Sequence, residues 1–322
     1  LMAVYTKINS KDLSNIERNF NIGKIISFSG ITKGIENTNY LLKTQKGKYI
    51  LTIFEKRVKT SDLPFFMNLM DGLYRLKVKC PRPIESKNKK YIFKIKKKSA
   101  SIVTFLNGKD KKKLSNSNCF DVGKNIAKLH LASKKLKIYR KNSLSVNSWK
   151  PLLNKIDKRI NKIQKNLIGL MNEELSIIKK NWPKHLSVGI IHSDLFIDNI
   201  FFHKNKFYGF IDFYFSANDF LSYDLATCIN ALCFIKKKGK FILDKNKSYN
   251  LIRGYQTVRK LSNSEKLKFN ILCRGSALRY LLTRSYDYLN TPKTAIIKIK
   301  DPREYIQKLI FHKNVNSFSE YF

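Results

Sequence analysis

Acidic residues are scarce in this chain of 322 residues: 23 Asp and Glu stand against 64 Lys and Arg, a formal net charge of +41. No apolar run approaches the ~18–20 residues that cross a bilayer, so no membrane partner is expected. The N-terminal stretch LMAVYTKINS lacks a basic segment followed by an apolar one, so no secretory signal is expected. Cys80, Cys119, Cys228, Cys233 and Cys273 form no CxxC pair. They read as reduced thiols of a cytoplasmic protein, with neither a disulfide framework nor a zinc site. Internal repeats and low-complexity linkers are missing too. The lack of acids invites a nucleic-acid reading, since KIKKKSA, GKDKKKL and FIKKKGK are basic clusters. Yet Lys is spread along the whole chain, far outnumbers Arg and accompanies abundant Asn and Ile. That is a bias of the whole sequence with solvated Lys on most surfaces, and no nucleic-acid partner is expected. What is present suits a packed core: 43% hydrophobic residues, with 22 Phe and 16 Tyr.

The first hundred residues read mostly as strands. KIISFSGI, NYLLKT, KYILTIFEK and KYIFKI are short, β-branched or aromatic, and separated by turn-formers, with QKGK as a hairpin turn. DLPFFMNLMDGLYRLKV interrupts them: Leu63, Phe66, Leu69, Met70 and Leu73 share one helical face, and Pro64 after Asp62 fits a helix start. So this part is expected to be a small sheet carrying one helix. From about residue 120 the periodicity turns helical. FDVGKNIAKLHLASKKL sets Val122, Ile126, Leu129 and His130 at helical spacing, and SWKPLLNKIDKRINKIQKNL and NEELSIIKKNWP predict two amphipathic, Lys-faced helices. LSYDLATCINALCF, NLIRGYQTV, EKLKFNILCRGSALRYLLTRSYDYLN and DPREYIQKLIFHK also read as helices. The strand SIVTFL leads into Asn107-Gly108, a natural joint between a β-rich part, residues 1–106, and a mostly α-helical part, residues 107–322.

Between the helices lies IIHSDLFIDNIFFHKNKFYGFIDFYFSAND, two His and four Asp in a chain short of acids. Ile200 to Phe202 and FYGFI are apolar runs joined by the turn HKNK, a β-hairpin. A hairpin returns to its starting end, so Asn199 and Asp212 are expected side by side. An amide oxygen and a carboxylate there can grip Mg²⁺, a hard ion that takes oxygen ligands. Asp194, on the incoming loop, can face the space beside that metal and accept the proton of an attacking hydroxyl. The alternative is an Asp-rich hairpin loop with no chemistry.

The arrangement resembles that of the protein-kinase-like phosphotransferases. His192, Asp194 and Asn199 stand in HxDxxxxN positions, and IDF at 211–213 takes the place of DFG. Phosphoryl transfer asks for positioning and charge neutralisation, which a base, a metal-holding amide and a metal-holding carboxylate supply. His192 is expected to orient the loop, and Asp224 in YDLA to brace it. The resemblance implies an α+β, two-lobed fold with a small β-rich N-lobe that clamps ATP and a larger helical C-lobe. In GITKGIENTNYLL, Gly34, Asn37 and Thr38 lie in a turn whose N–H groups can approach phosphates. SIVTFLNG, with Phe105, is placed to be the hinge that offers backbone groups to adenine.

Closer still, the chain resembles the bacterial homoserine kinases of the aminoglycoside-phosphotransferase-like type over nearly its whole length. The resemblance runs through MAVYT, LTIFEKRV, DLPFFMNLM, SIVTFLNG, IIHSDLFIDNIFF, GFIDFYFSANDFLSYDLATCINALCF, LRYLLTRSYDYLNTP and DPREYIQKL. It implies Mg-ATP-dependent phosphorylation of the side-chain hydroxyl of L-homoserine, a step toward threonine, with ATP and a small molecule as partners; a monomer is expected, with an oligomer left open. The third strand of kinases usually carries a Lys or Arg for the phosphates, but YILTIFEKR puts Thr52 there, with Lys56 or Arg57 as substitutes. Asp71 is a candidate acid on the small-lobe helix. A zwitterionic acceptor needs acceptors for its ammonium and Arg or N–H groups for its carboxylate. Arg279, Thr283, Tyr286 and Asp287 lie along one helical face, with Arg284 near, and Asn218 and Asp219 follow Asp212. Each of these has a plain alternative: Asp219 can cap a helix, and an Arg can brace neighbouring helices. Two rival functions remain open at this point. One is a related kinase for an aminoglycoside, choline or a sugar; the other is a polyanion binder on an inactive kinase scaffold.

Overall fold

The computed structural model describes residues 5–32, 37–55, 58–291 and 299–322. Gly34, Lys56 and Arg57 therefore lie outside the described residues. The chain opens with α1 (Ser10–Asn19), then β1 (Ile25–Gly30), β2 (Thr38–Thr44), β3 (Gly47–Ile53), α2 (Leu63–Arg75), β4 (Ile92–Ile95) and β5 (Lys98–Thr104). The strands form one antiparallel sheet in the order β1-β2-β3-β5-β4. Period-two alternation splits β3 between two cores. Leu51 and Ile53 face α1, packing with Ile8, Ile16, Phe20, Leu42 and Ile102. Ile50 and Phe54 face the opposite way, into a much larger core.

Helix α2 begins with a proline in its first turn and buries Phe66, Leu69, Met70 and Leu73 in that larger core rather than in the sheet's own. Helix α1 is a correction to the reading of one helix in this part. It has a single fully buried side chain, Ile16, so it carries too little periodic apolar signal. Its capping box, Asn9 with Asp12, is the sequence signal that would have found it.

The rest of the chain is mostly helical: α3 (Asn116–Ser133), α4 (Val146–Leu153), α5 (Leu167–Asn181), β6 (Val188–Ile191), β7 (Ile200–His203), β8 (Lys206–Phe210), β9 (Ala217–Phe220), α6 (Leu221–Leu232), β10 (Phe234–Lys237), β11 (Lys240–Leu243), α7 (Lys245–Gln256), α8 (Asn263–Asn290) and α9 (Arg303–Lys313). The long helix expected from SWKPLLNKIDKRINKIQKNL is broken. Helix α4 ends at Leu153, and the Asp157 carboxylate accepts the Arg159 N–H to start a separate 3-10 turn that buries Ile160. FIKKKGK, noted only for its charge, turns a hairpin between β10 and β11. Lys238 (φ 48°) and Gly239 (φ 80°) take the positive φ of its turn.

Helices α3 and α7 meet backbone to backbone. A Cβ added at Gly123 would lie 2.0 Å from the Leu251 carbonyl oxygen, and one at Gly254 2.0 Å from that of Phe120. Alanine inside a helix normally gains about 1 kcal/mol over glycine. Here rigid backbone stands in the way, and overpacking costs ~1–3 kcal/mol or more. We expect Gly123→Ala and Gly254→Ala each to lower the melting temperature; an unchanged or higher melting temperature would show that the helices separate at little cost.

Candidate active site

The β7–β8 hairpin turns through Lys204 (φ 46°) and Asn205 (φ 64°) and pairs Ile200 with Phe210. It is anchored at both flanks. Lys109 and Phe202 exchange two backbone hydrogen bonds (3.0 and 2.9 Å), and the Phe210 N–H donates to the Lys79 carbonyl at 3.0 Å. Gly209 permits that approach, since a Cβ there would sit 2.7 Å from the Lys79 oxygen. The Ile211 N–H donates to the Asn199 carbonyl at 3.0 Å, so the two ends of the hairpin, with Asn199 and Asp212, are brought together. The β6–β9 pair, with Ile191 opposite Ala217, sets the HSD loop beside the segment that follows IDF.

Asp224, in the first turn of α6, lies under that loop and is fully buried. Its carboxylate accepts the backbone N–H of His192 (2.9 Å) and of Ser193 (2.8 Å), and meets His130 Nε2 at 3.0 Å. Burial alone would raise this carboxyl. The hydrogen bond from His130, the nearby imidazoles and the His192 N–H outweigh it and hold the group below the usual carboxylate range. His192 lies on the other side. Its Nε2 donates to the Ile211 carbonyl at 2.9 Å, while Nδ1 has no partner, so the ring is the neutral Nε2–H tautomer. Burial lowers its pKa to about 4.

Ser193 has φ 69°, a left-handed backbone held by three contacts beyond Asp224. Arg279 donates to its carbonyl at 2.8 Å and to its hydroxyl at 3.0 Å, and the Tyr280 hydroxyl donates to the same carbonyl at 2.9 Å. That turn directs Asp194 outward. Tyr280 reaches Asp194 Oδ1 at 3.3 Å, and the Asn199 amide nitrogen donates to the Asp194 carbonyl at 2.8 Å. With its nitrogen committed, Asn199 has its oxygen left for another partner. Asp212 is exposed and has φ 64°, again the left-handed region.

Asp194 lines a cleft of about 1200 Å³ between the sheet and the helices, together with Arg279, Tyr280, Thr283, Arg284 and Asp287. Asn199, Asp212, Asn218 and Asp219 are not among its lining. Asn218 is engaged by the Arg140 backbone. Asp219 accepts Asn142, a lining residue, at 2.7 Å, and burial raises its carboxyl. Arg284 ties α8 to Glu304 of α9 at 2.6 Å.

On the sheet side Thr52 donates to Asn39 at 2.8 Å, opposite the Tyr214 hydroxyl. Thr38 and Asn37 are buried: the Thr38 hydroxyl holds the N–H of Tyr5 and Thr6, and Asn37 accepts the Glu55 N–H. Phe105 follows β5 with its N–H on the Lys48 carbonyl. Asp71 is turned to Arg75 (2.7 Å) and Arg82 (3.4 Å), away from β3. Several lining residues went unremarked in the sequence: Glu55 and Lys98, which pair with each other, and Tyr214 and Arg140; Asp62 was read only as a helix start. Tyr214 directly follows IDF and was within reach of the motif; Arg140 is an arginine in a lysine-rich stretch.

Comparison with known proteins agrees with this geometry. The model of the phosphotransferase enzyme family matches residues 27–261. A homoserine kinase of Agrobacterium fabrum (strain C58 / ATCC 33970) is 43% identical over 320 residues, 99% of this chain and 98% of the relative. One of Paramagnetospirillum magneticum (strain ATCC 700264 / AMB-1) is 42% identical over 326 residues, 99% of each. Among solved structures, amicoumacin kinase hAmiN in complex with AMP-PNP, Ca²⁺ and Ami superposes with a TM-score of 0.72 at 13% identity, over 95% of this chain and 92% of that one. The choline kinase of Cryptosporidium parvum Iowa II gives 0.65 at 15% identity, over 97% and 93%. These two share the fold, the α+β protein-kinase-like architecture. The chain belongs to the phosphotransferase enzyme family and, within it, to the homoserine kinases.

Proposed function

We propose that this chain transfers the γ-phosphoryl group of Mg-ATP to the side-chain hydroxyl of L-homoserine, giving O-phospho-L-homoserine on the route to threonine, in the cytoplasm. The observation that carries the acceptor is identity above 40% to homoserine kinases along the full chain. Support for the reaction type comes from the convergence of the HSD and IDF loops, through His192 on Ile211 and Ile211 on Asn199. In this reading residues 1–106 clamp the nucleotide, with Gly34, Asn37, Thr38, Thr52, Lys56 and Phe105 on that side. Residues 107–322 carry catalysis and the acceptor.

Asp194 takes the proton of the acceptor hydroxyl as its oxygen bonds to the γ-phosphorus and the bond from that phosphorus to the β–γ bridging oxygen breaks, with ADP as the leaving group. The Asn199 amide oxygen and the Asp212 carboxylate hold Mg²⁺. Both are hard oxygen donors, which suits that ion. Among the described residues no three His, Cys, Asp or Glu are grouped to hold a metal, so water and phosphate oxygens would complete the shell, as Mg²⁺ commonly requires. Bound there, the ion would neutralise phosphate charge. His192 and Asp224 keep the loop in register. Arg279, Arg284 and Asp287 face the acceptor from the cleft, and Asn218 and Asp219 act from behind it through Arg140 and Asn142.

Four expectations follow from these roles. Asp212→Ala abolishes Mg²⁺-dependent turnover in a folded protein, with Asn199→Ala milder; turnover equal to wild type at limiting Mg²⁺ would remove the metal assignment. Asp194→Asn cuts turnover by roughly 10²–10⁴, the usual share of a positioned base, while ATP still binds in a calorimetric titration.

His192 supplies a pH dependence. Its folded pKa of about 4 lies below the ~6.5 of an unfolded chain. Between those values the unfolded chain holds more protons, so stability is lost as pH falls from about 6.5 to 4, by at most about 3 kcal/mol. Denaturant titrations of His192→Gln should show a shallower loss over that window; an unchanged slope would mean that the imidazole is solvated.

Acceptor selectivity is the fourth. Homoserine is serine with one more methylene. If ammonium and carboxylate are anchored rigidly, serine's hydroxyl stops short of Asp194, and about 1 Å of misplacement can cost ~10²-fold in rate. The expected order in kcat/KM is homoserine, then serine and threonine far behind, with choline and aminoglycosides inactive. An amino sugar or choline outrunning homoserine would sink the acceptor and spare the kinase.

A further inference from the structure

Arg140 sits in the irregular stretch between α3 and α4 and is held at both its main chain and its side chain. Its N–H donates to the Asn218 side-chain oxygen at 2.9 Å, and the Asn218 N–H donates back to the Arg140 carbonyl at 2.8 Å. The guanidinium, at the cleft wall, bridges two segments. Nε donates to the Asp62 carboxylate at 2.9 Å, a terminal nitrogen donates to the Ser216 carbonyl at 3.0 Å, and the group lies 5.0 Å over the ring of Phe66. Ser216 closes a tight turn through its N–H on the Phe213 carbonyl at 2.9 Å, just beyond Asp212.

Asp62 is the N-cap of α2, where an aspartate side chain ordinarily accepts an N–H of the first turn. It makes no such capping bond. Its carboxylate points at Arg140 instead, and the pair is largely shielded, with side-chain exposures of 16% for Arg140 and 25% for Asp62. The ring of Phe66 meets Tyr214 edge-on at 5.7 Å, Tyr214 meets Phe54 at 5.1 Å, and the Tyr214 hydroxyl lies against Thr52. Helix α2, the end of β3 and the turn after Asp212 thus converge on one aromatic block that Arg140 covers. In protein kinases a strand lysine and a helix glutamate pair to set the small-lobe helix for catalysis. Here Thr52 stands on the strand, and the helix carboxylate Asp71 is spent on Arg75 and Arg82.

We propose that Arg140 is a positioning residue for the reaction: it straps the start of α2 to the turn that follows Asp212, and so fixes where that turn stands against the sheet. The strap rests on the proposed function only in what the turn is for. Its existence as a coupling between α2 and residues 213–218 can be tested alone.

Backbone hydrogen exchange of the full-length protein, without nucleotide or metal, is compared for wild type, Arg140→Ala, Arg140→Lys and Asp62→Asn, alongside steady-state kinetics. Arg140→Ala should lose protection both in 213–218 and in the first turn of α2, with α8 unchanged. Its kcat should fall about 10²-fold, the cost of roughly an ångström of misplacement, while KM for homoserine moves less than about twofold. Asp62→Asn should reproduce a smaller part of both effects, and the double variant should be no worse than Arg140→Ala alone. Arg140→Lys should fall between, because an ammonium can meet Asp62 but lacks the fork that also reaches Ser216. A tenfold rise in KM for homoserine at unchanged kcat would overturn the strap and make Arg140 a substrate binder. Unchanged exchange in 213–218, with activity lost only in proportion to the folded fraction, would overturn it as well. If Arg140→Ala does not fold, Asp62→Asn and Arg140→Lys carry the same comparison. A failed metal assignment would show in Asp212→Ala and leave the exchange result standing.

Discussion

The HSD loop depends on one buried carboxylate. Asp224 is fully out of solvent, which for an isolated charge would cost several kcal/mol. Two backbone N–H groups and the His130 ring answer that cost with charge-assisted bonds of 2.8–3.0 Å. Because those donors are main-chain groups of His192 and Ser193, the bond fixes the path of the chain as well as its side chains. Ser193 can then keep a left-handed φ, a conformation that costs a serine of order 1–3 kcal/mol and survives only where its surroundings over-determine it. Arg279 and Tyr280 from α8 complete that over-determination. The outward pose of Asp194 is thus set by three elements, α3, α6 and α8, far apart in sequence.

Much of this was legible in the sequence where a local rule governed. The hairpin of residues 200–210 followed from two apolar runs and a polar turn, and its closure brought Asn199 and Asp212 to one end. The strands of the sheet and most helices announced themselves by period. Where local signal was thin, the reading failed. Helix α1 buries little and is held by its caps, and the stretch around Asp157 had helical periodicity but a side chain that starts a new turn instead. The long-range partners of polar groups were least legible. Nothing near Asp62 says that it leaves its own helix uncapped for a residue 78 positions away.

The same limit applies to the sheet side of the cleft. From sequence, Thr52 is an anomaly on a strand that ought to carry a cation. In the fold it belongs to a polar seam under the sheet, with Asn39 and Tyr214 as neighbours. A lysine that lines the cleft from the sheet, Lys98, comes from β5 and is held by Glu55 and the Thr6 hydroxyl (2.7 Å). Strand order brings β5 next to β3, which no window of sequence around Thr52 contains.

The chain's bias toward lysine offers a way to find such nodes. A solvated surface is served equally well by Lys or Arg, but a planar fork is needed where one cation must hold two acceptors. Arg274 makes three bonds to the buried Glu174, Arg259 bridges Tyr255 and Glu265, Arg279 takes two atoms of Ser193, and Arg140 joins Asp62 to Ser216. Arg159 and Arg303 make exposed pairs with acids two residues away, so arginine alone is not sufficient. The further requirement is an apolar setting. Arg140 follows Ile138 and Tyr139 and lies on Phe66, and Arg279 lies 4.6 Å over the ring of Tyr280. The apolar setting has to be that of the fold and not of the flanking residues alone: Arg75 lies between Tyr74 and Leu76 yet its side chain is 67% exposed in its pair with Asp71. Buried against Tyr280, Arg279 is a place where direction matters as well as charge, and it holds the loop that carries Asp194.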